Sequence, residues 1–250
     1  MRKKLLLTAL FAIICTMAFS QTPTASELLR RVDNNEIYNT IEYEGEIVIE
    51  YQGRRYVKTL MAWGRGNTHS FIEFTNAEDR GTKYLRRDGR LYVYSPDTEE
   101  VMLISGHMLK ESMMGSDMSY EDTLSNDTLS SRYDPVLSGS EVWNGNGGSR
   151  DAWVLELTAK RRTESYPKRK LWIDKENGDL LHYELYALSG VKLKEYTLLR
   201  VEVIDGRRFP VEGEMRDLMR KDSKTTFVMR SVMLDRPIPD SVFSQRNLER

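Results

Sequence analysis

Residues 41–51 read IEYEGEIVIEY, and their alternation decides the fold. Ile41, Tyr43, Ile47, Ile49 and Tyr51 fall on one side of an extended chain, and Glu42, Glu44, Glu46 and Glu50 on the other. Successive side chains of a strand point to opposite faces, so this segment predicts a half-buried antiparallel strand with an acidic solvent face. The same habit continues on both sides. Gly53 turns the chain into strands at 54–65 and 68–76, separated by Gly66-Asn67. Asp88-Gly89 between 82–87 and 90–95 predicts a type I′ hairpin, because both central residues of that turn need positive φ. Ser95-Pro96-Asp97 turns the chain again, into 101–105.

The second half predicts strands near 133–142, 151–160, 168–174, 179–188, 191–204, 208–219 and 223–234. The turns between them are NGNGG at 144–148, KENG at 175–178, Ser189-Gly190 and Asp205-Gly206. About a dozen strands joined by tight turns form a meander rather than a βαβ array. The fold class is therefore mainly β, a large and strongly curved antiparallel sheet. Before it, Leu28, Leu29 and Val32 give residues 24–36 one apolar helical face, with Ser26 as the expected N-cap.

Residues 1–20 carry the pattern of a cleavable secretory signal: MRKK, an apolar run from Leu5 to Ile14, and small Ala18 and Ser20 before Gln21. That run is shorter than the roughly 20 apolar residues a membrane-spanning helix needs. Ile14 before Cys15 argues against lipid modification there, where a small residue is wanted. Cleavage removes Arg2, Lys3 and Lys4 and the only cysteine, leaving 34 Lys and Arg against 38 Asp and Glu, a net charge of −4. This is no nucleic-acid footprint, and without a thiol there is no disulfide, Cys-ligated zinc or cysteine nucleophile. Residues 21–250 are long enough to bury their own core as one domain.

One segment breaks the meander. Residues 106–132 hold GHMLKESMMGSDMSYEDTLSNDTLSS, with helical character expected at 107–114 and 117–124. A connection of this length in a compact domain is usually functional or disordered. It gathers Met108, Met113, Met114 and Met118, and clustered methionines suit apolar partners of variable shape. These methionines either plug the concave side of the sheet or plug it and also gate it.

Together, the exported start, the helix ELLRRVDNN at 27–35, the meander and the mid-chain insertion resemble the periplasmic lipoprotein-sorting (LolA/LolB-like) family. GTKYLRRDGRLYVYSPDTEEV at 81–101, GSDMSYED at 115–122, YPKRKLWIDKENGDLLHYELY at 166–186 and IPDSVFS at 238–244 resemble its outer membrane lipoprotein-sorting branch. The resemblance implies an incomplete, half-open β-barrel around an apolar cavity, lidded by short helices, that carries acyl chains of lipoproteins toward the outer membrane. Physical chemistry is consistent with such a carrier. At about 0.8 kcal/mol per buried methylene, a chain of ~15 carbons contributes on the order of 12 kcal/mol, so a helix competing for the cavity makes release reversible.

On this reading the lid side of the lipid site comprises Met108, Leu109, Met113, Met114, Met118 and Tyr120. The wall comprises Ile47, Ile49, Trp63, Leu91, Val93, Trp153 and Leu155. The expected ligand is a lipid or acyl chain, with no cofactor and no metal. The expected partners are lipoproteins or lipids and transient membrane donor and acceptor proteins, not nucleic acid. The protein is expected to be a periplasmic monomer that can associate with membranes peripherally.

Two alternatives stand beside the carrier. One is a lipoprotein-sensing binding module that uses the same cavity. The other is a lipid-ester hydrolase, phospholipase-like and dependent on calcium if the carboxylates hold one, built from Ser119, Asp117, Glu121, Asp122 and His107. Against it, no G-x-S-x-G elbow is present, and Asp117 reads more simply as a helix N-cap. His69, His107 and His182 lack metal-ligand spacing, and His182 reads as a satisfied sheet histidine.

Overall fold

The computed structural model describes residues 22–35, 38–124, 127–145 and 147–249. The secretory signal read at 1–20 lies outside them. Helix α1 (Ala25–Asn35) comes first, then strands β1 (Thr40–Tyr51), β2 (Arg54–Arg65), β3 (His69–Phe74), β4 (Lys83–Arg87), β5 (Arg90–Ser95) and β6 (Glu100–Ile104). The insertion contains 3-10 turns at Gly106–Lys110 and Met113–Gly115 and short helices α2 (Tyr120–Leu124) and α3 (Leu129–Arg132). Strands β7 (Tyr133–Gly145), β8 (Gly148–Ala159), β9 (Lys168–Asp174), β10 (Leu180–Tyr186), β11 (Lys192–Ile204), β12 (Arg207–Asp217) and β13 (Ser223–Leu234) follow. A 3-10 turn at Asp240–Phe243 and helix α4 (Gln245–Leu248) end the chain.

The thirteen strands form one antiparallel sheet in the order β6-β5-β4-β3-β2-β1-β13-β12-β11-β10-β9-β8-β7. Strand β1, the segment with the acidic alternation, pairs with β2 and β13 and so holds the centre of the sheet. The two free edges, β6 and β7, are consecutive in sequence. The insertion therefore runs from one edge of the unclosed sheet to the other, over its inner face. Asp88 and Gly89 have φ of 52° and 70°, and Asp205 and Gly206 of 48° and 77°, the doubly positive geometry that type I′ turns require.

Strand register sorts the side chains. Ile47 pairs across the sheet with Phe227 and with Lys58, and Leu60 with Phe74, which puts the cluster of Ile47, Ile49, Leu60, Phe74, Tyr84 and Leu91 on the inner face under the insertion. Further along the same face, Leu155, Leu157, Leu171 and Ile173 bury Leu28, Leu29 and Val32 of α1. Between them Gly213 has no side chain because the Tyr196 ring, stacked on Tyr183 with centroids 4.8 Å apart, fills the space a Cβ would need.

Helix α1 begins at Ala25, so its N-cap stands two residues before the expected Ser26. Thr24 is its N-cap: Glu27 N–H donates to Thr24 Oγ1 at 3.2 Å, and Thr24 N–H donates to Glu27 Oε2 at 2.8 Å, a reciprocal capping box. At its other end Asp33 accepts from Leu129 N–H and Ser130 N–H at 2.8 and 3.1 Å, which ties α1 to the start of α3.

The helices expected at 107–114 and 117–124 form only in fragments. Met114 and Gly115 take φ of 53° and 78°, which reverses the chain. Met113 N–H then donates to the Met118 carbonyl at 2.8 Å, and Ser112 bridges Ser119. Serine side chains compete for the backbone here: Ser112 Oγ donates to Ser116 O, and Met118 N–H donates to Ser116 Oγ.

Candidate functional site: the lid and the inner face

The insertion brings most of the expected lipid-site residues together. Met108, Leu109, Met113, Met114 and Tyr120 pack onto the inner-face cluster that contains Ile47, Ile49, Leu91 and Val93. Tyr120 stacks on Tyr84 with ring centroids 6.1 Å apart. The separation along the chain, from β1 to the insertion, is closed by the sheet's order, because β1 through β6 are laid side by side beneath the lid.

Four expected residues lie elsewhere. Trp63 packs with Phe71, Leu85, Ile238 and Phe243 on the outer face, covered by the C-terminal segment. Its parity explains this: Leu60 and Ala62 point inward, and Trp63, opposite Glu42 of β1, must point outward. Trp153 and Leu155 are on the inner face but under α1, away from the lid cluster. Met118 contributes its carbonyl to the lid hairpin, and its part-buried side chain is not among the residues of the lid cluster.

The polar residues of the insertion form a latch. Asp117 is buried, and its Oδ2 accepts from Thr225 Oγ1 at 2.6 Å while Oδ1 accepts from Asp217 N–H at 3.1 Å. Thr225 Oγ1 in turn accepts from Asp117 N–H at 2.9 Å. Arg220 donates to the Ser116 carbonyl at 2.5 Å. Asp122 Oδ2 pairs with buried Lys194 Nζ at 2.8 Å and Oδ1 accepts from Tyr166 OH at 2.9 Å. At the neighbouring residue of α2, buried Arg86 donates from Nη1 to the Thr123 carbonyl at 3.0 Å.

The same partners place the residues of the hydrolase reading. A nucleophilic serine needs a base aimed at its hydroxyl. Ser119 Oγ instead accepts from Asp122 N–H at 3.3 Å, while Ser119 N–H donates back to Asp122 Oδ2 at 2.8 Å, a cap for α2. His107 is exposed on the first 3-10 turn, and Glu121 accepts from Ser165 Oγ at 2.7 Å. Each of the five residues is thus placed in lid docking, capping or solvent contact rather than in a nucleophile–base array.

The electrostatics give the latch a pH dependence. Burial opposes ionisation of Asp122, but the Lys194 charge and hydrogen bond, with Ser119 N–H and Tyr166 OH, outweigh it and hold the carboxyl below its ordinary value. A carboxyl depressed in the folded state contributes stability above its unfolded value of about 4 and loses it as pH falls through the folded value. Amide exchange in residues 112–124, corrected for intrinsic rates, is therefore expected to be equally slow at pH 7 and pH 5 and to accelerate below about pH 4. Asp122→Asn should flatten that difference; an unchanged acid response in this variant would assign it to another group.

Among the described residues one trio, His182, Glu184 and Glu195, brings metal-capable atoms within 4.8 Å of one another. Lys192 Nζ bridges both carboxylates at 2.8 Å, so the cation of this cluster is an ammonium. His182 Nδ1 is 3.0 Å from Thr197 Oγ1, its ring stacks on Trp143 at 4.3 Å, and burial pushes its pKa down.

A mainly β, unclosed antiparallel sheet with its inner face lidded by short helices defines the LolA-like half-barrel fold. Solved structures with the same fold bear this out. A DUF1329 family protein from Desulfovibrio piger aligns with a TM-score of 0.79 and 26% identity, over 90% of this chain and 97% of that one. A LolA superfamily protein from Nitrosomonas europaea gives 0.73 and 22%, over 90% and 100%. A domain of an outer membrane lipoprotein-sorting protein from Vibrio parahaemolyticus gives 0.78 and 18%, over 90% and 98%. Residues 66–250 match the model of a family described as uncharacterized protein, and the chain belongs to that family. No curated protein matches it significantly. No helix among the described residues is long and apolar enough to cross a membrane.

Proposed function

We propose that this protein is a periplasmic carrier that binds acyl chains, of a lipoprotein or another lipid, between the lid and the inner face and passes them to an acceptor at the outer membrane. The observation that carries the proposal is the lid cluster itself. Met108, Leu109, Met113, Met114 and Tyr120 are soft or aromatic side chains laid on an apolar wall of aliphatic and aromatic residues, contacts that an acyl chain can replace. The lid is joined to the sheet through side chains and not through the strand ladder, so its displacement leaves the thirteen-strand sheet whole. The likeness to a LolA superfamily protein and to a lipoprotein-sorting domain supports the same reading, as does the export pattern at residues 1–20. Transient donor and acceptor proteins at the two membranes and action as a monomer belong to this proposal.

Native mass spectrometry of the protein purified from a cell envelope, followed by extraction, tests it. Intact lipid or acylated peptide at one per chain is the expected result. Free fatty acid and lysolipid accumulating with time would replace the carrier with the hydrolase. A protein that is empty and ignores added lipid would leave the sensing module in the lead.

A further inference from the structure

The inner face under the lid is not apolar throughout. Lys194 of β11 and Arg86 of β4 are both buried there, and both spend their charge on α2: Lys194 on the Asp122 carboxylate, Arg86 on the Thr123 carbonyl. Register fixes their direction. Arg86 lies opposite Leu91, a member of the lid cluster, and Lys194 opposite Leu185 and Asp217, two positions from inward-pointing Tyr196. Among the described residues no acceptor meets the buried Nε–H of Arg86. Of the carboxylates of the lid, Asp122 meets Lys194, while Asp117 is taken by Thr225 and Glu121 by Ser165.

The two buried cations in the floor hold the closed lid, and by doing so they also set a condition on any cargo that takes its place. When the lid lifts, Lys194 loses the one carboxylate at salt-bridge distance among the described residues, and Arg86 loses the Thr123 carbonyl. A buried charge stripped of its partner is strongly disfavoured, so whatever replaces α2 must bring acceptors and negative charge with it. An ammonium and a guanidinium held at adjacent residues of one short helix, Asp122 and Thr123, favour an anionic group such as a phosphate, which accepts hydrogen bonds from such donors. We propose that the cargo is an acyl lipid with an anionic head group, and that Asp122 and the Thr123 carbonyl stand where that head group goes, against Lys194 and Arg86. This inference rests on the carrier reading and adds the head-group class to it. A neutral lipid leaves both cations unpaired, and the site discriminates against it by that penalty.

The test compares 1-oleoyl lysophosphatidic acid with 1-oleoylglycerol, which share chain and glycerol and differ only in the phosphate, with inorganic phosphate as a third ligand. The readout is the ratio of the two lipid affinities, because a loosened lid or partial unfolding moves both lipids together. In the unmodified protein the phosphate-bearing lipid is expected to bind at least ten-fold tighter. Lys194→Met and Arg86→Met should each bring the ratio toward one without weakening 1-oleoylglycerol, and Asp122→Asn, which keeps both cations, should preserve it. A ratio near one in the unmodified protein, or one that Lys194→Met and Arg86→Met leave unchanged, overturns the proposal. Inorganic phosphate binding as tightly as the phosphorylated lipid overturns the lipid assignment in favour of a free-anion site. If neither lipid binds, the carrier reading falls as well.

Discussion

Leu155→Ala is expected to destabilise the protein by about 3 kcal/mol while leaving acyl-chain binding by the folded molecules within two-fold of normal. Leu155 is fully buried against Leu28, Leu29 and Val32 of α1 and against Tyr133, Leu157, Leu171 and Ile173. Truncation removes three carbon atoms from a site walled by strands on one side and a capped helix on the other. Neither wall closes easily over the gap, so the cavity term adds to the lost transfer free energy. A loss of this size is a large share of the roughly 5–15 kcal/mol by which domains are stable, and for a chain this long it lowers Tm by about 6–12 °C. Thermal melting measures that part. A lipid titration at a temperature where both proteins are folded measures the other. Because Leu155 belongs to the α1 cluster and not to the lid cluster, the titration curves should overlay. A ten-fold weaker affinity would mean that cargo reaches under α1, and Leu155 and Trp153 would return to the wall.

The different legibility of Leu155 and Ile49 in the sequence shows what patterning can and cannot deliver. Both were readable as inward residues of alternating strands, and both are inward. What alternation does not carry is which covering element lies above a given stretch of the face, since that follows from sheet order. The order here joins β1 to β13 and leaves β6 and β7 as edges, a consequence of pairings between residues nearly two hundred positions apart. Trp63 was open to a sharper reading. Its parity differs from that of Leu60 and Ala62, and the C-terminal IPDSVFS supplies Ile238 and Phe243 to cover it. The latch was illegible for another reason. Asp117 and Thr225 are 108 positions apart and Asp122 and Lys194 are 72 apart, and a single Asp or Lys in a charged surface-rich sequence has no local mark of being buried. The methionine cluster, in contrast, was visible because composition alone made it unusual. Its backbone was not, because the left-handed Met114 and Gly115 pair breaks the helical period that the side chains suggest.

Replacing Met113 and Met114 together with aspartate is expected to raise acyl-chain affinity by ten-fold or more, the opposite of what loss of a binding residue would do. In the closed molecule the lid occupies the site, so the measured affinity is the intrinsic one reduced by the fraction of molecules whose lid is lifted. Met113 is buried in the lid cluster and Met114 packs at its margin. Burial of one such side chain stabilises by about 1.5–3 kcal/mol, and a carboxylate in its place is driven toward water. Removing even 1.4 kcal/mol of lid docking is a ten-fold gain in the open fraction. The latch at Asp117 and Asp122 remains in the variant, so the insertion stays attached to β12, β13 and β11 through Asp217, Thr225 and Lys194 while its apolar part comes free. Amide exchange at 106–115 should therefore accelerate more than exchange at 117–122. Lipid titration and exchange together separate the two roles the methionines can have. Faster exchange with tighter lipid binding identifies them as competitors for the cargo's place. Faster exchange with weaker binding identifies them as part of the surface that holds the cargo, and the lid would then close over an acyl chain instead of yielding to it. Unchanged binding with faster exchange would detach the lid from lipid binding altogether, and with it the carrier mechanism built on this site.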